Sequence, residues 1–146
     1  MVALLAPVGK HLWDQAQKEA DFQSKAKHIA AADRECAAAR AAISRFGQPD
    51  IADSRAYASF LRQIIPVERQ LIVRWAAIPT PKGDRGKVTK IITYMRQSSN
   101  ELAEAAMFLE KEDVQTANRS MTRAKEYGQR AQQGALVYGY RICSDL

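Results

Sequence analysis

Few side chains in this sequence of 146 residues stand where they could do chemistry. The two cysteines are Cys36 and Cys143, and the two histidines are His11 and His28. No pair of these residues has the spacing of a zinc site, and the motifs of phosphate loops, dinucleotide folds, nucleophile elbows and zinc proteases are missing. The sequence therefore predicts no catalytic residue, no metal and no cofactor, and we expect a protein that is not an enzyme.

Three glutamates occupy positions that invite a functional interpretation. Glu101 and Glu104 have the i, i+3 spacing of carboxylates on one helix face. Carboxylate ligands in ferritin-like bundles come partly from Glu-x-x-His pairs, and neither histidine stands in such a pair. Glu68 falls by helical phase on an apolar face, where a glutamate usually lies at the edge of the face. We interpret Glu101 and Glu104 as a solvated face, and we expect Glu68 to pair with an arginine.

A small group of polar and aromatic residues predicts a candidate ligand pocket between helices. Ser98 and Ser99 lie near the apolar face of the third predicted helix, and Trp75 and Tyr94 can supply aromatic walls. The competing interpretation is ordinary packing, because aromatic residues at helical spacing are usually part of the core. A pocket of this kind would suit a sensor-type bundle that binds a small ligand.

The sequence predicts an all-α fold. Glycine (7) and proline (5) are few, alanine is abundant, and alanine loses no side-chain entropy in a helix. No run of β-branched residues has the period of a strand. Helix stop and start signals divide the chain into helices over about 11–46, 53–78, 84–111 and 113–138. Because the connections are short, we expect an antiparallel up-down-up-down four-helix bundle with a long first helix, forming a single domain over residues 1–146.

The first predicted helix has an apolar face along only part of its length. Residues recurring at spacings of three and four place this face on Phe22, Ala26, Ile29, Ala32, Cys36, Ala39, Ile43 and Phe46. Upstream, Gln15 and Glu19 fall where apolar residues would be needed. We therefore expect residues 1–21 to form a protruding extension, with Leu12 and Trp13 as a candidate surface for a partner.

The two cysteines can meet in this topology. Cys36 lies on the apolar face of the first helix, and Cys143 comes just after the fourth. In an up-down-up-down bundle these two helices are adjacent and antiparallel, so the chain end returns toward the start of the first helix. The sulfurs meet if the first helix extends past the bundle. The alternative interpretation is two free, buried thiols in a cytoplasmic protein.

Four short motifs carry a resemblance to other proteins. They are the cysteine of the first helix, the Ile-Pro-Thr-Pro turn at 78–81, the tight turn opened by Asp113, and the ending Tyr-Gly-Tyr-Arg-Ile-Cys at 138–143. In these motifs the chain resembles, over about residues 29–143, a loose group of secreted or membrane-anchored helical domains frequent in actinobacteria and similar bacteria. The resemblance implies that the two cysteines pair, that a membrane segment or lipid anchor precedes the helical domain, and that no catalytic residues are carried over.

The start of the chain departs from that pattern. The apolar stretch Val2–Val8 is short and has no basic region before it, so it is not a complete signal peptide. Two interpretations stay open, namely the end of an anchor helix and a frayed N-terminus. We expect an extracytoplasmic protein, secreted or membrane-anchored, with a cytoplasmic location as the alternative.

Charge gives a weaker indication of partners. The chain has a net charge of +6 and a pI of about 9.5, but its basic residues are interleaved with acidic ones and form no block with aromatics, which argues against a nucleic-acid surface. We expect a non-enzymatic bundle that binds a protein partner or acts as a scaffold near the membrane. A small-ligand sensor and a cytosolic protein associated with nucleic acid are the alternatives. The sequence leaves the oligomeric state undecided.

Overall fold

The computed structural model describes residues 6–145. Over this range the chain forms helices and no strand, which confirms the all-α prediction. Two short 3₁₀ turns, Lys82–Asp84 and Cys143–Asp145, accompany the four helices. The helices are α1 (Ala6–Ser44), α2 (Ser54–Ala77), α3 (Arg85–Glu110) and α4 (Val114–Tyr138).

Helices that follow each other in the chain pack side by side, which confirms the four-helix bundle. The most extensive interface joins α3 to α4, followed by α2 with α3 and then α1 with α2. Gly134 helps α4 approach α3, since a Cβ atom at this position would lie 2.9 Å from Cγ1 of Ile91. The small residues that line α4 therefore allow a close approach between the two helices.

The ends of the helices follow local signals in the sequence. The Asp53 carboxylate accepts the backbone N–H groups of Arg55 and Ala56, at 2.9 and 3.0 Å, and so caps α2. Asp113 caps α4 in the same way. Gly139, with φ of 110°, ends α4 in the left-handed conformation that glycine adopts without strain.

The buried face of α1 is shorter than the sequence predicts. Phe22 is 74% exposed, and Ala26 and Phe46 are also exposed, so these three were wrongly assigned to the core. Full burial begins at His28, near the ends of α2 at Ala77 and α4 at Tyr138. Of residues 9–27, only Lys25 is partly covered, with its Nζ atom 4.4 Å from the ring centre of Tyr138. The apolar spacing identifies one side of a helix, but it does not tell where the covering helices stop.

The length of α1 sets it apart from the other helices. It has 39 residues, about 58 Å at 1.5 Å per residue, whereas the others have 24, 26 and 25 residues. Residues 9–24 are exposed without exception. We call residues 9–24 the α1 extension. The helix already includes residue 6, so it begins before the predicted start at His11.

Two apolar clusters fill the bundle. One surrounds Trp75 and includes both cysteines, and the other surrounds Leu61 near the opposite end. The side between α1 and α4 has no backbone interface comparable to the other three. There α1 contacts the C-terminal turn at one end, and a cleft remains along the rest. The first and fourth helices were expected to lie side by side. In the structure α1 contacts the segment that follows α4 more than it contacts α4 itself.

Candidate functional site

The C-terminal segment is attached to α1 by a pair of cysteines. The Sγ atoms of Cys36 and Cys143 lie 2.02 Å apart, at disulfide distance, and the Cα atoms are 5.3 Å apart. Both residues are buried. The predicted pairing is confirmed to the extent that the two sulfur atoms lie at disulfide distance. The structure has no free cysteine within residues 6–145.

Asp33 holds the same segment through its backbone. Its carboxylate is buried and accepts the N–H groups of Arg141, Ile142 and Cys143, at 3.1, 3.0 and 3.0 Å. Hydrogen bonds to a charged acceptor are the strong ones, so this anchor is a major contact between α1 and the chain end. Sequence reasoning missed Asp33. The only signal was its position three residues before Cys36, on the same helix face.

A buried hydrogen-bonded network lies beside the disulfide. The Nδ1 atom of His28 is 2.9 Å from the carbonyl oxygen of Pro79, which can only accept a hydrogen bond. Nδ1 therefore donates, and in the neutral ring Nε2 accepts from the Tyr140 hydroxyl at 2.6 Å. Trp75 Nε1 donates to the same hydroxyl oxygen at 3.2 Å. Burial raises the pKa of Tyr140, and with all partners satisfied the network links four parts of the chain and has the character of a structural core.

The second functional feature is a cleft at the open side of the bundle, between α1 and α4. Its volume is about 140 Å³, and all four helices contribute to it. It contains Glu68, Ser98 and Gln132 among apolar walls. The lining residues are Ile43, Glu68, Leu71, Ile72, Trp75, Ile91, Met95, Ser98, Gly128, Ala131, Gln132, Ala135 and Cys143.

The structure separates the four residues of the predicted pocket. Trp75 and Ser98 line the cleft, and the Ser98 hydroxyl donates to the carbonyl oxygen of Ala124 at 2.9 Å. Ser99 is buried but does not line the cleft, and its hydroxyl has no hydrogen-bond partner in the described part of the chain. Tyr94 does not line the cleft and instead lines an open groove along α3 and α4.

Glu68 is the unusual residue of the cleft. Within residues 6–145 its carboxylate has no hydrogen-bond or ion-pair partner, so the expected arginine pair does not form. Burial raises the pKa of this carboxyl from 4.5 to about 7, and the charge of Arg69 lowers it only in part. The Glu68 side chain is half-buried, so its carboxylate loses only part of its hydration, and this loss disfavours the charged form.

We predict that Glu68 makes the protein less stable as the pH rises. The native pKa is about 7 and the ordinary value is 4.5, so between these two values the native state binds more protons than the unfolded state. The contribution of Glu68 to stability is therefore most favourable below pH 4.5, falls through this window and levels off above pH 7. Relative to the variant Glu68→Gln, the wild-type protein should lose about 2–3 kcal/mol across the window, as measured by urea unfolding at several pH values. An identical pH dependence in both proteins would contradict the burial argument.

The predicted carboxylate pair on α3 is an ion-pair site. Arg123 lies 2.9 Å from Glu101 and 3.3 Å from Glu104, and all three side chains are partly exposed. Within the described residues, no group of His, Cys, Asp and Glu is arranged to hold a metal ion.

An open groove follows the outer side of α3 and α4. Its volume is about 780 Å³, and its lining includes Lys25, Lys87, Lys90 and Arg130. The Arg130 guanidinium lies 5.8 Å from the ring centre of Tyr94, a cation–π distance. Glu126 is the acidic residue of the same lining, and the groove is open to solvent.

The α1 extension carries exposed apolar side chains. Leu12 is 60% exposed and Trp13 is 68% exposed. Successive residues of a helix turn by about 100°, which places Leu12, Trp13, Ala16 and Ala20 within about 100° of one another on one side. The candidate partner surface predicted from the sequence is thus placed on an ordered helix, outside the bundle.

Comparisons of the chain with protein-family models, curated proteins and solved structures give no match. None of the helices in the described range is both long and apolar enough to span a membrane.

Proposed function

We propose that this chain is a non-enzymatic, extracytoplasmic helical bundle that binds a protein partner through the α1 extension. The observation that carries the proposal is the exposure of Leu12 and Trp13 on a helix that leaves the bundle. The bundle itself serves as a scaffold that holds the extension at a fixed place.

The chemistry of the extension supports a protein partner. A tryptophan is among the residues most enriched at the centres of protein interfaces, because it buries a large apolar surface and keeps an N–H group for hydrogen bonding. The small residues Ala16 and Ala20 beside Trp13 allow another helix or a groove to approach closely. An apolar side on an exposed helix is the pattern recognised by helix-binding grooves.

The paired cysteines support the extracytoplasmic part of the proposal. Disulfides form and persist mainly in oxidising compartments, and thiols of cytoplasmic proteins are usually kept reduced. The disulfide, Asp33 and the His28 network all hold the chain end against the part of α1 that follows the extension. They therefore fix the direction in which the extension points.

Photo-crosslinking in the native organism tests the partner surface. A photoreactive benzoylphenylalanine in place of Trp13 should give crosslinked products of discrete mass, because the side chain would lie within the interface. The matched control is the same residue in place of Val73 on α2, since Val73 is 67% exposed and Trp13 is 68% exposed. We expect no such product from the control position.

A second variant makes the result specific. Adding Leu12→Ser to the position-13 crosslinker should remove the products, because the neighbouring apolar contact is lost. A product with twice the mass of the chain would identify the partner as a second copy. Equal products from positions 13 and 73, or none from position 13, would overturn the proposal.

A further inference from the structure

We propose that the cleft between α1 and α4 binds a small organic cation, a protonated amine with a short apolar body, whose ammonium group pairs with the Glu68 carboxylate. This site goes beyond the partner surface of the α1 extension and lies on the bundle itself. The ligand of the cleft differs from the partner of the α1 extension, and a separate experiment tests it.

The first argument is the charge inside the cleft. Glu68 is the one ionisable side chain among the residues that line it, and within residues 6–145 it lacks a partner. Leu71, Ile72 and Met95 form apolar walls around it. Glu68 is half-buried among these side chains, which disfavours its charged form, so a ligand that brings a positive charge would offset part of this cost.

The second argument is size and shape. A cleft of about 140 Å³ is close to the dry cavity of roughly 150 Å³ that accepts benzene. It therefore has room for an apolar body of roughly four to six heavy atoms. The Ser98 hydroxyl and the Gln132 amide lie in the same lining and can accept further N–H groups of an ammonium.

The third argument concerns the helices that surround the cleft. On α1, α3 and α4, the lining residues carry no titratable side chain, and the charged neighbour of Glu68 is Arg69 on α2. Nothing in the lining repels an ammonium group. The side between α1 and α4 is also the one without an extensive backbone interface, so a small molecule can enter without separating two closely packed helices.

Isothermal titration with three compounds of matched shape tests the proposal. The probes are isobutylamine as the cation, isobutanol as its neutral counterpart and isovalerate as an anion. We expect wild-type protein to bind isobutylamine at least tenfold more tightly than isobutanol and to give no measurable binding of isovalerate. The variant Glu68→Gln has nearly the same shape without the charge, and it should lose the tenfold preference.

A space-filling variant checks the location. A Cβ at Gly128 would lie 3.6 Å from the Ser98 hydroxyl oxygen, an ordinary contact, so Gly128→Leu should be accommodated while its longer side chain fills the cleft. This variant should bind neither isobutylamine nor isobutanol. Equal binding of the amine by wild type and Glu68→Gln, unchanged binding by Gly128→Leu, or no binding of the amine by wild type would each overturn the proposal. None of these outcomes bears on the crosslinking at position 13.

Discussion

Replacing Cys36 and Cys143 together by alanine should lower the free energy of unfolding by about 4–5 kcal/mol, because the chain then loses a cross-link that closes a long loop. The two cysteines are 107 positions apart, and a longer loop removes more conformational freedom from the unfolded chain. The loss is of the same order as the entire stability of many small domains. Guanidinium unfolding of the oxidised wild type and the double variant measures it directly.

Reduction provides the matching control for this prediction. Adding a reductant to the wild type should reproduce most of the loss, whereas the alanine variant has no bond to break and should be unaffected. Equal stability of wild type with and without reductant would show that the cross-link contributes nothing to the folded state.

Replacing Asp33 by alanine should lower the free energy of unfolding by roughly 3 kcal/mol, the second largest effect we expect. The N–H groups of Arg141, Ile142 and Cys143 would lose a charged acceptor. The buried N–H group of Cys143 would keep its full cost of desolvation, and the other two, which are partly buried, would keep a smaller cost. Amide hydrogen exchange should accelerate at these three positions, since the segment opens more readily. Urea unfolding and exchange measured by NMR give the two quantities.

Two further variants define the role of the Asp33 carboxylate. Asp33→Asn keeps one acceptor oxygen without the charge, so it should fall between wild type and Asp33→Ala. Asp21→Ala changes an exposed aspartate on the same helix and should cost little. If exchange at Arg141–Cys143 in Asp33→Ala matched the wild type, the carboxylate would not be the anchor of the segment.

The fold was predictable because the signals that start and end its helices are local in the sequence. Gly139 favours the left-handed conformation, while Asp53 and Asp113 are acceptors for unpaired N–H groups at helix starts, and each acts within a few residues of its own position. The wrong assignments of Phe22, Ala26 and Phe46 to the core concern a property that is not local in the sequence. Their burial depends on where other helices end, and helical periodicity carries no such information.

The site was only partly predictable because its contacts are remote in sequence. The pairing of Cys36 with Cys143 was predictable because the common way for two cysteines of a small chain to pair is a disulfide. Asp33 and His28 form hydrogen bonds with residues 108 to 112 positions away. The partners of Asp33 are backbone N–H groups, and a pattern of side chains does not predict a contact with the backbone.

Glu68 illustrates the limit of helical phase. The phase correctly placed it on an apolar face, but it could not tell that, within residues 6–145, no arginine from a neighbouring helix pairs with it. Whether an arginine comes close depends on the spacing between helices, and here the α1–α4 side is the open one. The same spacing separates Tyr94, in the outer groove, from Trp75 and Ser98 in the cleft.

The most direct test of the account is the thiol state of the protein in its native organism. Cells are quenched in acid, the denatured protein is alkylated with and without prior reduction, and its intact mass is measured. We predict that neither Cys36 nor Cys143 is alkylated unless the protein is first reduced, and that digestion without reduction yields a peptide joining the two. Alkylation of both cysteines without reduction would contradict the disulfide and the proposed extracytoplasmic location that depends on it.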